Sequence, residues 1–429
     1  MANIISLTVE NFRSYKNKTV FTFEAIDAHK MSGNYHEVVL QNNETINLLN
    51  TAVIYGANAA GKSNMIIALW ALYSFVKYSR SADPDNTIRY EPYMLSKKNQ
   101  NAPIYFSIRF VSDGMIYDYD YSYNKFAFLS ENLKEVLSGK VIFTRGENGV
   151  VKFDPEIPIE SEKTYLRNHL ALSELSLKAI PVIQSIYRTI SSMRILPLTE
   201  EYYPPKNTTN MAAAMILDEE PNSNFSNMLR DLIVSSDTGI VGVSVKKTEA
   251  DQFVFPESVS ETDRAQFIQE HRYKINMVHA TEEGDNILFP LNVESTGTQT
   301  LFKAGALVLK ALEEGCLLVY DEMNIALHPI LFRRLVELFN NKATNPNNAQ
   351  LLVTTHDTVL IDDVLLRADQ IWFAEKENGV SSLYSAIDFN GVKIDQPFGP
   401  WYKAGRLGGR PHLSAFTPSY GSQPSKIEK

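Results

Sequence analysis

Apolar and polar residues alternate from the start of the chain. IISLTVENF (residues 4–12) and KTVFTFEA (18–25) flank the polar turn SYKN and read as two half-buried strands. TAVIY (51–55) is a short, wholly apolar run, the pattern of a strand covered on both faces. SNMIIALWALYSFVKYS (63–79) is apolar on most faces and predicts a buried helix. Between 103 and 153, the runs IYFSIRFV, MIYDYDYSY, KVIFT and GVVKF are separated by DG and GENG turns and predict an antiparallel β lobe. In MIYDYDYSY the alternation of Tyr and Asp describes a half-exposed strand rather than a stacking surface for bases.

The period then changes. Residues from about Lys163 to Met193 follow a helical pattern that Pro181 kinks or divides. Residues 221–275 are mainly helical around a β-like stretch, GIVGVSVKK. After Pro290 strands alternate with helices, and beyond Pro411 the chain is polar and rich in Ser and Pro, as in a loose tail. These patterns divide the chain into a first lobe (1–155), a mainly helical insertion (156–285), a second lobe (286–410) and a flexible tail (411–429). The fold class expected is α/β, with a mixed sheet core, an antiparallel β lobe and a helical insertion. No sustained heptads or internal repeats occur.

Composition narrows the class. The chain has 429 residues, 44% hydrophobic and 21% charged, the balance of a water-soluble globular protein. No stretch approaches the roughly 18 apolar residues that span a bilayer, and MANIISLTVENFRSY lacks the pattern of a secretory signal. One cysteine, Cys316, leaves no internal disulfide or multi-cysteine metal site. A reduced, cytoplasmic setting without membrane contact is expected. The net charge of −9 argues against a surface wholly devoted to nucleic acid. Local basic sites at Lys97-Lys98, Lys246-Lys247 and Lys403/Arg406/Arg410 leave DNA contact open.

Four motifs carry chemistry. GANAAGKSN (56–64) follows a strand, opens a helix and matches G-x-x-x-x-G-K-[ST]. Gly56 and Gly61 would let backbone N–H groups close on phosphate oxygens; Lys62 would reach the β and γ phosphates and Ser63 would ligate Mg²⁺. GCLLVYDEM (315–323) is an apolar strand that delivers two acids at its carboxyl end. Asp321 would hold Mg²⁺ through water, and Glu322 would orient and deprotonate the attacking water. QLLVTTHD ends a third strand at His356, within reach of a γ phosphate or lytic water. ESTGTQTL (294–301) opens an apolar helix that stops at Gly315, making a second anion cradle at Ser295 and Gly297. One nucleotide hardly needs two cradles from one chain, so the economical reading is that this one caps ATP held by a second copy.

Ser295 precedes Asp321 by 26 residues and His356 follows it by 35. That order resembles the ABC-type ATPase heads: phosphate loop, signature, acidic strand, switch histidine. NFRSY (11–15), GANAAGKSN, DEMNIALHP (321–329) and TTHD (354–357) are similar to the SMC and RecF group. Within it the chain resembles the OLD-like and abortive-infection AAA ATPases of bacterial anti-phage systems, with KAGRLGGRP (403–411) similar to their GR-x-G-x-x-P element. The likeness spans the first 150 residues or so and the last 140, and is loose between. It implies ATP and Mg²⁺ as cofactors, with Arg13, Asn58 and Asn64 near the nucleotide. It also implies Ser295 and Gly297 on the partner's γ phosphate, Glu322 as base, His356 as switch, and Asn324–Leu327 as the loop signalling between sites. His328-Pro329 has a structural alternative as a helix start. The glutamine such heads carry after the β lobe has only Gln100 as a poor candidate.

Full OLD proteins continue into a Toprim nuclease; 73 residues follow His356, and they lack its Glu and Asp-x-Asp pattern. A nuclease or toxin, possibly Toprim-like, is then expected on another chain. The zinc hook of break-repair ATPases and the G-x-S-x-G elbow are missing too. The expectation is an ATPase that forms a homodimer or higher homo-oligomer around ATP and regulates a separate effector in anti-phage defence. The rivals are a RecF/SMC-like DNA-maintenance ATPase and a nucleotide-bound scaffold that does not hydrolyse.

Overall fold

The computed structural model describes residues 3–146, 148–196, 205–217, 224–236, 239–256 and 258–410. Chain order begins with strands β1 (Asn3–Glu10), β2 (Thr19–Thr22), β3 (Tyr35–Val39), β4 (Thr45–Leu49) and β5 (Thr51–Tyr55), then helix α1 (Lys62–Tyr78). An antiparallel run follows: β6 (Ile104–Ser112), β7 (Met115–Tyr123), β8 (Phe128–Glu135), β9 (Val141–Arg145), β10 (Val150–Phe153) and β11 (Glu162–Thr164). Next come α2 (Ala171–Leu175), α3 (Pro181–Ser191), β12 (Arg194–Leu196), α4 (Pro205–Leu217), α5 (Asn224–Val234) and β13 (Ile240–Lys247). The chain continues through α6 (Glu261–His271), β14 (Tyr273–Ala280), β15 (Asn286–Pro290), α7 (Thr296–Glu314), β16 (Leu317–Tyr320), α8 (Pro329–Phe339) and β17 (Gln350–Thr354). It closes with β18 (Ile371–Glu377), β19 (Val380–Ser385) and α9 (Gly399–Lys403).

Two large sheets organise these elements. An eight-stranded sheet runs β11-β10-β9-β8-β7-β6-β1-β2, and a six-stranded sheet runs β12-β16-β17-β5-β18-β19. In the second, every neighbouring pair is parallel except β18 with β19. The expected fold class is observed: an α/β core with a mixed sheet, an antiparallel β lobe and helices between them. The apolar run at 51–55 is explained by its two partners. Ala52 and Ile54 pack with α1 and the antiparallel lobe, whereas Val53 and Tyr55 pack with α7 and α8. Strand period 2 sends alternate residues to opposite faces, and both faces are covered. Each fully buried Leu or Ile in these clusters contributes roughly 1.5–3 kcal/mol.

Several elements differ from the sequence expectation. The helical reading of 163–193 yields α2 and α3 but begins on the end of β11, and Pro181 divides the segment by starting α3. β12 at its end was not anticipated and forms an edge of the parallel sheet. β8, with its polar FLSENLKE, was also missed, because its place between β7 and β9 lets half its positions stay wet. The tyrosines of β7 face inward, with Tyr119 and Tyr121 at 0% exposure, as alternation predicted. The polar stretch from Pro411 lies outside the described residues.

One buried charge fixes the β lobe to the helices. Glu131 on β8 is fully buried; its carboxylate accepts from the Ala171 N–H at 2.6 Å, the Leu172 N–H at 2.9 Å and the Tyr119 hydroxyl at 2.8 Å. Arg145 lies 3.9 Å away and donates to the Leu166 carbonyl at 3.1 Å. Removing one member leaves the others desolvated and unsatisfied. Glu131→Ala is therefore expected to lower unfolding free energy by about 3–5 kcal/mol in urea melts. A change within 1 kcal/mol would show the network to be dispensable.

Candidate nucleotide site

β5 ends at Tyr55, and the loop from Gly56 to Gly61 carries the chain into α1. A Cβ on Gly56 would lie 2.5 Å from the Ala374 carbonyl oxygen, and one on Gly61 would lie 2.5 Å from Ser381 Oγ. Gly61 also has φ 117°, a left-handed conformation that favours glycine. It offers no side chain to cap α1, so the first-turn N–H groups stay available to an anion. Lys62, 4% exposed, donates to the Gly56 carbonyl at 2.8 Å and the Ala57 carbonyl at 3.2 Å. Burial pushes its pKa down, while the Glu322 and Asp321 charges act upward and leave it still lowered. Residues 57–64, among them Asn58, Lys62, Ser63 and Asn64, line a 540 Å³ cavity with Glu322 and Lys376.

The acids come from the neighbouring strand. β17 lies between β16 and β5, and the cavity takes Glu322 from just beyond β16 and the loop from just beyond β5. Thr354 bridges them: its hydroxyl donates to Asp321 Oδ1 at 2.5 Å and accepts from the Glu322 N–H at 2.8 Å. Glu322 holds φ 48°, a left-handed conformation costing of order 1–3 kcal/mol for a non-glycine residue. Asp321 is 1% exposed, and its Oδ2 has no hydrogen-bond partner among the described residues. A buried carboxylate oxygen left open suits a cation or its water. No cluster of three or more His, Cys, Asp or Glu able to hold a metal exists among the described residues. Ser63 and Asp321 are the residues that could hold Mg²⁺ together with phosphate oxygens.

The turn after β1 braces the loop from the other side. The Tyr15 hydroxyl, fully buried, donates to the Gly61 carbonyl at 3.1 Å. Ser381 Oγ donates to the Ala60 carbonyl at 2.7 Å and lies 2.8 Å from Ser14 Oγ. Asn64 donates to Ser14 Oγ at 2.6 Å and accepts from Arg13 Nη1 at 3.2 Å. Arg13 also pairs with Glu91 at 2.9 Å. It lines a second cavity, of 600 Å³, with Tyr90, Pro92, Tyr93, Met94 and Leu95; Asn64 and Lys376 border both cavities. Sequence reasoning missed Lys376 and Ser381, and read Thr354 only as the polar end of an apolar strand, without its bridge to the acids.

Other expected residues lie elsewhere. Ser295 caps α7 by accepting from the Thr298 N–H at 3.1 Å, is exposed, and does not line the phosphate-loop cavity. A Cβ on Gly297 would lie 3.0 Å from the Ala326 carbonyl, so the start of α7 rests on the loop after the acids. His356 is exposed just beyond β17 and lines neither cavity. His328 caps α8 and Pro329 is its first residue, the structural role. Gln100 donates to the Met94 carbonyl at 2.8 Å, and lines neither cavity. Lys97, Lys98, Lys246, Lys247, Lys403, Arg406 and Arg410 are exposed, with Lys403 paired to Asp362 at 2.7 Å.

Residues 52–362 match a family described as "AAA domain, putative AbiEii toxin, Type IV TA system". The chain belongs to this family. The matched region carries the phosphate loop and both acids. No curated protein matches the chain. Among solved structures it is similar to an SmcHead bound to the C-winged helix domain of ScpA, at 13% identity over 89% of this chain and 97% of that one, with TM-score 0.47. It is similar to the SMC head domain from Thermotoga maritima, at 13% identity over 89% and 98%, TM-score 0.42. A third is an Smc head domain with an extended coiled coil bound to the C-terminal domain of ScpA derived from Pyrococcus furiosus, at 13% over 95% and 98%, TM-score 0.46. No helix among the described residues is long and apolar enough to cross a membrane.

Thr354 offers a direct check on the acids. Thr354→Val keeps the shape and deletes the bridging hydroxyl, leaving a buried carboxylate unsatisfied at about 1–3 kcal/mol. Mg²⁺-dependent ATP affinity, read by fluorescent-nucleotide titration, is expected to fall about tenfold, and Thr354→Ser to retain it. Equal affinities in all three proteins would contradict the bridge.

Proposed function

We propose that this AAA-family chain binds and hydrolyses ATP as an ABC-type head that dimerises around the nucleotide. The observation carrying this reading is the separation of two anion cradles: Lys62 and Glu322 line the phosphate-loop cavity, whereas Ser295 and Gly297 at the start of α7 do not. A second copy can supply its α7 N-terminus to the open side of that cavity. Arg13, Gly56, Asn58, Gly61, Lys62, Ser63 and Asn64 bind the triphosphate. Bound Mg²⁺, held by Ser63 and Asp321, would neutralise charge on the phosphate oxygens. Glu322, whose backbone is pinned by Thr354, orients water for in-line attack and takes its proton. His356, exposed just beyond β17, serves as the switch that registers the γ phosphate.

Each charge-assisted hydrogen bond across the interface contributes about 1.5–3 kcal/mol. About 5.5 kcal/mol moves a two-state equilibrium from 1:99 to 99:1, so two to four such bonds suffice to couple closure to nucleotide. The OLD-like and anti-phage reading rests on the resemblance of KAGRLGGRP, and the family description's mention of a toxin and a Type IV TA system is compatible with a toxin-related role. On that reading the dimer senses infection and restrains or releases a nuclease or toxin carried on another chain, in the cytoplasm.

Glu322→Gln with ATP is expected to double in mass on a light-scattering column, and Ser295→Arg in the same background to remain single while still binding ATP. A Glu322→Gln protein of unchanged mass at every concentration would defeat the dimer proposal. Tight DNA binding in ATP with a steep salt dependence would instead favour the DNA-maintenance role.

A further inference from the structure

We infer that the segment Phe398–Arg410 is a positioning clamp for hydrolysis, which holds the phosphate loop and the loop after β17 in one fixed relation. The inference rests on the nucleotide reading above and adds to it a regulatory element that lines neither cavity.

One end of the segment grips the loop that follows His356. The Phe398 and Gly399 N–H groups both donate to the Ile361 carbonyl, at 2.9 and 2.6 Å. A Cβ on Gly399 would fall 2.1 Å from Asp362 Oδ1 and 2.9 Å from Asp362 Cα, so the two backbones meet without room for a side chain. Asp357, adjacent to His356, accepts from the Val359 N–H at 2.9 Å and starts the short turn that leads to Ile361. A shift at Gly399 is thus transmitted to His356 through six residues of hydrogen-bonded loop.

The other end closes on the phosphate loop. Gly408 and Gly409 hold φ 66° and 67°. A Cβ on Gly409 would lie 3.1 Å from Phe373 Cδ1 and 3.6 Å from Gly56 Cα, so Gly409 backs the first residue of the phosphate loop. The Ala374 carbonyl already crowds Gly56. Gly56 is therefore held between β18 and this turn.

Tyr402 joins the two ends. Its ring centroid is 5.7 Å from those of Tyr55 and Phe373, and its hydroxyl donates to the Gly409 carbonyl at 3.3 Å. Tyr384, whose hydroxyl lies 3.1 Å from Glu375 Oε2, also approaches the Leu407 carbonyl, at 3.3 Å. Tyr55, the residue before Gly56, is fully buried under Tyr402, and its hydroxyl has no partner among the described groups. Misplacing reacting groups by about 1 Å can lower rate 100-fold, so an element spanning both loops controls turnover without touching ATP.

The two ends make separable predictions in the full chain. Gly409→Ala is expected to raise KM for ATP at least tenfold. Gly399→Ala is expected to lower kcat at least tenfold with KM within twofold of wild type. Should Gly409→Ala fail to fold, Tyr402→Phe keeps the ring and deletes the hydroxyl, and is expected to raise KM about threefold. Folded variants with wild-type KM and kcat, or with only a lowered Tm, overturn the clamp. Lys62→Ala separates the two levels. If wild-type binding is lost in Lys62→Ala but the clamp variants behave as wild type, the clamp alone is overturned. If the wild type binds no ATP, the reading of the site falls and the clamp with it.

Discussion

The phosphate loop keeps its shape because Gly56 and Gly61 accept contacts that no side chain would permit. Gly56 lies against the Ala374 carbonyl of β18, and Gly61 against Ser381 of β19. Both partners belong to strands on the far side of β5 from the acids. The loop is therefore wedged between an antiparallel hairpin on one side and the Asp321–Thr354 pair on the other. Its geometry is a product of sheet order, and the turn of Asn11–Tyr15 completes the wedge through Tyr15 and Ser14.

That wedge concentrates opposing charges in a dry place. Lys62 is buried with its ammonium on two carbonyls, and burial lowers its pKa against the upward pull of the Glu322 and Asp321 charges. Thr354 ties the two acid-bearing residues together, donating to the Asp321 carboxylate and accepting from the Glu322 N–H. Elsewhere the same economy recurs: Arg367, fully buried, forks onto Asp369 at 2.9 and 2.8 Å, and Asp369 accepts from the Ile26 N–H at 2.8 Å. Buried ions here lean on backbone partners, but the satisfaction is incomplete: Arg145 Nε and Asp321 Oδ2 both lack a hydrogen-bond partner among the described residues. Of the two, Asp321 belongs to the acid-bearing end of β16 beside the phosphate loop.

The exposed start of α7 belongs to the same design. Its cap, Ser295, and the close approach of Gly297 to Ala326 tie the second cradle to the loop that follows the acids. Under the proposed dimer, a nucleotide on one copy would press on α7 of the other and so on that copy's own acids. The Phe398–Arg410 segment would set how stiffly each phosphate loop answers.

Motifs whose function depends on neighbouring backbone were legible in the amino-acid order. GANAAGKSN, TAVIY and GCLLVYDEM announced a loop, a two-faced strand and an acid-bearing strand, because local sterics and strand period 2 act over a few residues. The inward tyrosines of β7 were readable for the same reason. β8 and β12 were not, since a polar or three-residue strand is stable only through partners distant in sequence. The seat of Lys376, the bridge through Thr354 and the contact of Gly409 with Gly56 were decided by strand order alone. Contacts across hundreds of residues leave no periodic trace along the chain, and only folding brings their two halves together.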